Sequence, residues 1–326
     1  MAEQSDPGQW APVTIGHLSD PHLTTLANIA PYGLGLKRGL GYLSWRRNRR
    51  WHHRSEVLAA VVDDLRAEAV GAIVVSGDLT HLGLPAECDE ALAWLEMLGP
   101  AASTLVIPGN HDRLVSDDWA RTVGRWRRYF GPVSGVGATS PGNGGADPGE
   151  GPQGPENAFP FVRRQGAVAL VGVNSSVPTW PLFADGRVGP VQREALGRTL
   201  EQLAAAGAFR LVVMHHAPQP EGHSWRKRLR DARACVGVLA EAGAELVIHG
   251  HGHRDVTSAI KGAVGAIPVI GAPSASLQGA AGWNHYRVAP DPDGWMLTCR
   301  ARRLGAGGFS TRETCWRLPR AHAPHV

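Results

Sequence analysis

Five short segments of this 326-residue chain carry side chains that commonly bind metal ions. In chain order they are Asp20-Pro21-His22, Gly77-Asp78, Gly109-Asn110-His111-Asp112, His215-His216 and Gly250-His251-Gly252-His253. Carboxylate, imidazole and amide ligands together suit Mn²⁺, Fe, Co²⁺ or Zn²⁺, whereas a site for Ca²⁺ or Mg²⁺ would contain mainly oxygen ligands. None of the five segments contains cysteine. Their composition therefore predicts a site for divalent transition-metal ions.

The segments together could supply the ligands of two neighbouring metal ions. Two cations a few ångströms apart need a ligand that contacts both, and the two oxygens of a carboxylate can do so. Asp78 is the best candidate for this bridging position. A water or hydroxide held between two such cations has its pKa lowered from ~15.7 toward ~7, which makes it a nucleophile at neutral pH. The pattern therefore predicts metal-assisted hydrolysis.

Each ligand segment follows a short apolar run that is rich in β-branched residues. The runs cover residues 13–18, 72–76, 104–107, 210–214 and 245–248. Near-continuous apolar runs of this length are typical of strands that are buried on both faces. In open α/β sheets, ligands bind beyond the carboxyl ends of the strands. We therefore expect five loops that are distant in the chain to converge on one edge of the structure.

The intervals between these strands have the apolar periodicity of helices. Ser55 is predicted to cap a helix, and further helices are predicted over 85–98, 191–206 and 231–242. Short strands near 264–270, 285–288 and 295–303 predict a second sheet. The expected architecture is α/β, with two packed β-sheets flanked by helices.

Length and composition favour one catalytic domain that spans residues 1–326. No apolar run approaches the ~20 residues that a membrane span needs, and no cationic segment followed by an apolar core begins the chain. The four cysteines are widely spaced, which is typical of a reducing compartment. The net charge of +4 is only moderately basic. We therefore expect a cytoplasmic protein without a dedicated nucleic-acid-binding domain.

The chain resembles the calcineurin-like metallophosphoesterases. Their pattern of D-x-H, GD, GNH[DE], H and GHxH is present in order, and the resemblance extends from about Ile15 to about Ser276. The compact Asn-His and Gly-His-x-His arrangement is similar to that of the bacterial class III cyclic-nucleotide and glycerophosphodiester phosphodiesterases. The resemblance implies a four-layer αββα sandwich and the hydrolysis of phosphate esters by a metal-bridging hydroxide that attacks phosphorus.

The resemblance also implies a role for each candidate residue. One metal ion would be held by Asp20, His22, Asp78 and His253, and the other by Asp78, Asn110, His215 and His251. His111 would lie beside the substrate and either stabilise the transition state or protonate the leaving oxygen. Asp112 could orient the His111 imidazole or satisfy the backbone of its own turn. Either His215 or His216 could be the ligand, and we choose His215 because it directly follows the strand.

An insertion at about 26–54 combines apolar and basic side chains, and no acidic residue lies between Asp20 and Glu56. Its apolar residues include Leu36, Leu40, Leu43 and Trp45. A basic amphipathic segment of this kind can contact an anionic membrane surface or the phosphates of a large substrate. The candidate contacts are Arg46, Arg47, Arg49 and Arg50. The alternative is that these arginines pair with surface acids. His52-His53 in the same segment are expected to be solvated.

A second insertion at about 131–157 is dominated by glycine, proline, serine and alanine. A segment with so few large apolar side chains cannot offset the entropy lost on ordering. We therefore expect it to be mobile, either as a passive surface loop or as a lid. A second cationic group, over residues 225–230, follows His215-His216.

Three functions remain open at the level of sequence. The first is a metal-dependent phosphodiesterase. The alternative is a pyrophosphatase that acts on a lipid-linked nucleotide, similar to the enzymes that cleave UDP-diacylglucosamine, and the basic apolar insertion favours it. The third is a non-catalytic scaffold of the same fold that binds a partner through its basic face. Neither insertion contains a motif that identifies the leaving group.

We expect the purified protein to contain about two transition-metal ions per chain and to lose phosphoester hydrolysis when a chelator is added. Because Asp78 is predicted to contact both ions, Asp78→Ala should remove most of the bound metal and nearly all hydrolysis. Elemental analysis measures the ratio of metal to chain. A ratio of one or less in fully active protein would contradict the two-metal assignment.

Overall fold

Two mixed β-sheets of six strands each form the centre of the structure. The computed structural model describes residues 10–23, 26, 29, 33–131, 158–219 and 224–320. In chain order the strands are β1 (Val13–Leu18), β2 (Ala72–Val75), β3 (Thr104–Val106), β4 (Phe161–Gln165), β5 (Val168–Gly172), β6 (Phe209–Val213), β7 (Leu246–His249), β8 (Val256–Lys261), β9 (Ala266–Gly271), β10 (Gly282–Asp291), β11 (Gly294–Gly305) and β12 (Gly308–Pro319).

The five strands predicted before the ligand segments are present as β1, β2, β3, β6 and β7. The first sheet has the order β12-β11-β10-β1-β2-β3, and the second has the order β4-β5-β6-β7-β9-β8. The pairs β1·β2, β2·β3 and β6·β7 are all parallel. Parallel neighbours end at the same edge of a sheet, so the loops that follow β1, β2 and β3 share one edge, as do those that follow β6 and β7.

Helices occupy the intervals between these strands. They are α1 (Gly35–Ser44), α2 (Arg50–His52), α3 (Ser55–Ala67), α4 (Pro85–Leu98), α5 (Pro190–Ala205) and α6 (Ala232–Ala242). A π-helical turn, Trp45–Arg49, joins α1 to α2, and 3₁₀ turns cover Trp119–Arg121 and Val123–Tyr129. The bounds of α4 are those predicted. The predicted cap of α3 is wrong by one residue, because Arg54 is at the N-cap position and Ser55 is already helical.

The packed core lies between the two sheets and continues on their outer faces. Ile15 and Val74 of the first sheet belong to the same buried cluster as Leu211 and Ile248 of the second. The alternate residues of the second sheet, such as Val212, pack with the apolar side chains of α5 and α6. Burial on both faces explains why the runs before the ligand segments are almost continuously apolar. The layers are therefore helix, sheet, sheet and helix, as the sequence predicted.

The later strands do not form the separate second sheet that their positions had indicated. β9 lies parallel to β7 in the second sheet, whereas β10 and β11 extend the first sheet. The reason is a long-range pairing, since β10 runs antiparallel to β1 with Ile15 opposite Tyr286. Period-2 patterning predicts that a segment is a strand but carries no information about its partner. The pattern also missed β12, whose residues are mostly exposed.

The structure describes most of the first insertion but only one residue of the second. The segment predicted at 131–157 lies outside the described residues apart from Gly131. The segment predicted at 26–54 is described at residues 26, 29 and 33–54, and it contains α1, the π-helical turn and α2. Among the described helices, none is both long enough and apolar enough to cross a lipid bilayer.

A buried ion pair stabilises the start of β6 and β7, at the end of the second sheet opposite to the ligand loops. Arg210 Nη2 lies 2.7 Å from Glu245 Oε1, and both side chains are almost fully buried. Removing one partner leaves an unpaired buried charge, which costs about 3–5 kcal/mol.

We therefore expect Glu245→Ala to lower the free energy of unfolding by this amount in denaturant titrations, without changing the metal content. The double variant Arg210→Met/Glu245→Leu, which buries no lone charge, should recover most of the loss. A single variant as stable as the double variant would contradict this account.

Candidate dinuclear metal centre

The predicted ligand segments meet at one edge of the sandwich, where loops from both sheets are hydrogen-bonded to each other. The amide of Asp20, after β1, donates to the carbonyl of Gly77, after β2, over 3.0 Å. His215, after β6 in the other sheet, has its Nδ1 2.8 Å from the carbonyl oxygen of Ser76. The amide of Gly250 in turn donates to the carbonyl of His215 over 3.1 Å. These loops therefore form one connected rim.

Several predicted ligands have a left-handed backbone conformation. The φ angles are 50° for Asp20, 43° for His22, 57° for Asp78, 65° for His251 and 52° for His253. Non-glycine residues rarely adopt this region, and doing so costs about 1–3 kcal/mol per residue. Ala69 and Leu182 are the other described non-glycine residues with a positive φ. Backbone strain is thus concentrated at positions that aim side chains toward a common point.

The first group of candidate ligands combines residues from both sheets. Ligand atoms of Asp20, His22 and His253 all lie within 4.8 Å of one another. His253 Nε2 is 3.0 Å from Asp20 Oδ1, and the other oxygen of Asp20 accepts hydrogen bonds from the Ser19 hydroxyl and the His251 amide. His22 Nδ1 lies 3.0 Å from the carbonyl oxygen of Thr80, which leaves Nε2 for another partner.

The second group contains Asp20, Asp78 and His215, whose ligand atoms also lie within 4.8 Å of one another. Asp78 Oδ2 is 3.4 Å from His215 Nε2 and 4.0 Å from His22 Nε2. The side-chain oxygen of Asn110 is 3.1 Å from the same nitrogen of His215. The carboxylate of Asp78 therefore lies between the two groups, which is the position required of a bridging ligand.

The geometry also bears on the choice between His215 and His216. His215 faces Asp78 and Asn110, whereas His216 has Nδ1 2.9 Å from the Ser175 hydroxyl and Nε2 3.2 Å from the Ala184 carbonyl. His216 does lie close to His215 and His251 in a third group of possible ligand atoms. Because its ring nitrogens already have protein partners, His215 is the better ligand of the pair.

Glycine is required where the loops approach each other most closely. A Cβ atom at Gly109 would lie 2.1 Å from Asp78 Oδ1, and one at Gly250 would lie 1.8 Å from the Ser19 hydroxyl oxygen. Both distances are far below van der Waals contact. The glycines of the GNH and GHxH patterns therefore leave room for the carboxylates and for the hydroxyl that holds Asp20.

The donor chemistry of this rim fits two divalent transition-metal ions. Carbonyl oxygens next to Nδ1 of His22 and of His215 fix these two rings with Nε2 directed toward Asp78, as is usual for metal-bound histidines. Burial lowers the pKa of His215, but the charges of Asp78 and Asp20 outweigh this effect and raise the pKa to about 9. The buried carboxylates thus favour a positive charge at this position. That these residues bind metal stays a prediction.

His111 lies beside the candidate ligands but faces different partners. Its Nδ1 is 2.7 Å from the carbonyl oxygen of His81. The Arg49 guanidinium contacts the ring, with Nη1 2.8 Å from Nε2. Burial lowers the pKa of His111 well below its usual value, and the positive charge of Arg49 adds to the effect. Arg49 was a candidate contact for an anionic membrane surface or for the phosphates of a large substrate, and its side chain turns inward to His111.

Asp112 shapes the loop that carries Asp78. Its carboxylate accepts hydrogen bonds from the amides of Asp78 (2.9 Å), Thr80 (2.9 Å) and Gly109 (2.8 Å) and from the Thr80 hydroxyl. Burial and the nearby charge of Asp78 raise the pKa of Asp112 to about 7. Among the described residues it makes no hydrogen bond to the His111 imidazole. Of the two roles considered for Asp112, these hydrogen bonds favour the second, in which its carboxylate satisfies the backbone of its own turn.

Two further histidines lie at the site although their sequence positions gave little sign of it. His53 was expected to be solvated, but its ring centroid is 4.4 Å from that of His22, and its Nδ1 is 2.8 Å from the Ser276 hydroxyl. The ring of His81 stacks on His22 with centroids 5.0 Å apart. His81 follows Asp78 by three residues, which was an available signal. No local signal existed for His53, because its partners are distant in the chain.

Comparisons with known proteins agree with this fold. A family model described as calcineurin-like phosphoesterase matches residues 13–255. No curated protein matches the chain. A dimetal phosphatase from Danio rerio is 14% identical with a TM-score of 0.52, and the match covers 92% of this chain and 98% of that protein. A purple acid phosphatase from yellow lupin (Lupinus luteus) seeds is 14% identical with a TM-score of 0.56, and the match covers 95% of this chain but 54% of the lupin protein. At these identities the two structures show a shared fold.

We expect His111→Ala to retain its metal ions but to lower turnover by roughly 10²–10⁴, because a positioned acid or electrostatic group contributes about this much. If His111 acts chiefly as an acid, the loss should be smaller for a good leaving group such as nitrophenolate. Steady-state kinetics with a series of aryl esters, together with elemental analysis, provide the measurement.

Asp112→Ala is the contrasting variant. Since its carboxylate holds three backbone amides around Asp78, this change should lower both metal content and thermal stability. If the variant kept full stability and its metal ions and lost only turnover, Asp112 would instead act on catalysis, for example by orienting His111.

Proposed function

Because the chain belongs to the calcineurin-like phosphoesterase family, we propose that it is a two-metal phosphodiesterase. At the coarser level it is a metal-dependent phosphoester hydrolase, since the family match and the grouped ligands agree. The finer proposal, a diester substrate like that of the class III cyclic-nucleotide branch, is supported by the shape of the surface around the ligands.

Cavities adjoin the candidate metal centre at both of its ends. At the His22 end, a cavity of about 200 Å³ is lined in part by His53 and Ser276. At the other end, a cavity of about 570 Å³ is lined in part by Pro218 and Lys227. The carbonyl of Lys227 contacts His251 Nε2 over 2.9 Å, so this cavity is next to the ligand set. A phosphodiester has two organic groups on phosphorus, and space on both sides of the centre suits such a substrate better than a monoester. This is the observation that carries the proposal.

Asp78 and His111 would have different roles in the hydrolysis. When bound, the two cations would supply Lewis acidity and an acidified water nucleophile. Asp78 would fix the spacing of the two ligand groups, and the rigid loops would keep the centre in one geometry. His111 follows Asn110, and its Nδ1–H donates to the His81 carbonyl. Its Nε2 is therefore the nitrogen that could face the substrate.

The second candidate is a pyrophosphatase that acts on a lipid-linked nucleotide, and the outer side of the insertion favours it. Leu36, Leu40 and Leu43 are exposed there, at 74%, 39% and 45%. Trp45 was expected to join this stripe, but it is buried. Exposed Arg46, Arg47 and Arg50 remain candidates for contact with an anionic membrane surface or with the phosphates of a lipid headgroup.

A substrate panel with Mn²⁺ separates these possibilities. We expect kcat/KM for an aryl phosphodiester or 3′,5′-cyclic AMP to exceed that for the matching aryl monoester by about 10–100-fold, because a cavity on each side of phosphorus accommodates both substituents. Asp78→Ala provides the inactive control. Preference for the monoester would contradict the diester proposal, and preference for a UDP-linked lipid would favour the second candidate. Inactivity of fully metal-loaded protein on every ester would favour a binding scaffold.

A further inference from the structure

The insertion after Asp20-Pro21-His22 has an inner side that is packed against the site. Trp45 is buried and belongs to a small apolar cluster with Leu82 and Leu114. Leu82 follows Asp78 in the same loop, so the insertion packs directly on the segment that carries the proposed bridging ligand. The inner side of this segment is therefore part of the site rather than of the outer surface.

Two basic residues of α1 attach the insertion at fixed points. Arg38 donates to the carbonyls of Leu82 (3.0 Å) and Gly83 (2.7 Å) and pairs with Asp117. Lys37 Nζ donates to the carbonyl of Thr179 over 2.8 Å. These contacts join the insertion to loops from two other parts of the chain. The π-helical turn that follows is held by both attachments, and Arg49 is its last residue.

Among the described residues, the hydrogen-bond contacts of the Arg49 side chain are with the His111 ring, which carries no negative charge. The His81 carbonyl can only accept, so His111 Nδ1 is the donor of that bond. Arg49 Nη1 lies 3.1 Å from Nδ1 and 2.8 Å from Nε2 of His111, so the guanidinium rests against the imidazole ring. The guanidinium contacts the uncharged His111 ring, and the charge of Asp78 also acts on it. The side chain is partly buried. A desolvated charge whose best partner is a neutral imidazole is unfavourable by itself, and an anion would be a much stronger acceptor.

We infer that Arg49 is a catalytic residue that binds an anionic, non-bridging oxygen of the phosphoryl group. An oxygen of the substrate would replace the His111 ring as the partner of the Arg49 N–H. The guanidinium is always charged and can offer two parallel donors, so it stabilises the added charge of the transition state. The inference rests on the proposed function only in requiring a phosphate ester, and any class of ester would satisfy it.

Binding of inorganic phosphate to Mn²⁺-loaded protein tests this role directly by calorimetry. Arg49→Ala should bind phosphate about 10–100-fold more weakly, the usual effect of losing a hydrogen bond to a charged group. Arg49→Lys, which keeps the charge but not the planar fork, should fall between it and the parent. Arg121→Ala is the control, because it removes one positive charge from an exposed side chain outside the insertion and outside the five ligand segments. It should bind phosphate as the parent does.

Kinetics and metal analysis test whether the role of Arg49 is only structural. With metal content equal to that of the parent, Arg49→Ala should lose about 10²–10³ in kcat/KM, which is typical of a donor to a developing oxyanion. Added guanidinium ion should restore part of the activity of Arg49→Ala and none of that of His111→Ala. If Arg49→Ala lost its metal ions, kcat/KM of the Arg49→Lys variant would be compared with that of the parent instead.

The outcomes separate this inference from the proposed function. Unchanged phosphate affinity in Arg49→Ala, or absence of phosphate binding by the metal-loaded parent, would overturn the role of Arg49. Weakened phosphate binding in a protein that prefers monoesters or UDP-linked lipids would support Arg49 while removing the phosphodiesterase proposal.

Discussion

Two buried carboxylates, Asp20 and Asp78, face each other where the sheets meet, and most features of the site depend on holding them there. Like charges in a low-dielectric environment repel and are costly to desolvate, so each needs hydrogen-bond donors and a cation. The Ser19 hydroxyl and the His251 amide donate to Asp20, and the His111 amide donates to Asp78. These bonds fix the orientation of both groups but leave their charge to be balanced by metal ions.

A second pair of buried carboxylates shapes the backbone around the first. The carboxylate of Asp112 accepts from the amides of Asp78, Thr80 and Gly109. Glu87, from α4, accepts from the amides of His81 (2.8 Å), Leu82 (3.0 Å) and Leu84 (3.0 Å). The loop from 78 to 84 is thus held along its length by these two side chains. Its rigidity makes the strained φ angles of the ligands sustainable.

The same loop connects the metal centre to the insertion. Its carbonyls orient His111 through His81 and anchor Arg38 through Leu82 and Gly83. The insertion therefore has two distinct surfaces, an inner one that completes the site and an outer one with exposed leucines and arginines.

The sequence by itself determined the local features of this protein. The strand over Val13–Leu18, the helix over Pro85–Leu98 and the ligand patterns at the strand ends were all readable, because periodicity and turn chemistry act between residues that are close in the chain. Only the tertiary structure decided that β10 joins β1, that His53 reaches Ser276 across 223 positions, and that Arg49 reaches His111 across 62. Each of these depends on which distant surfaces pack together. That choice is made by the summed burial and hydrogen bonding of the whole fold, and no short segment encodes it.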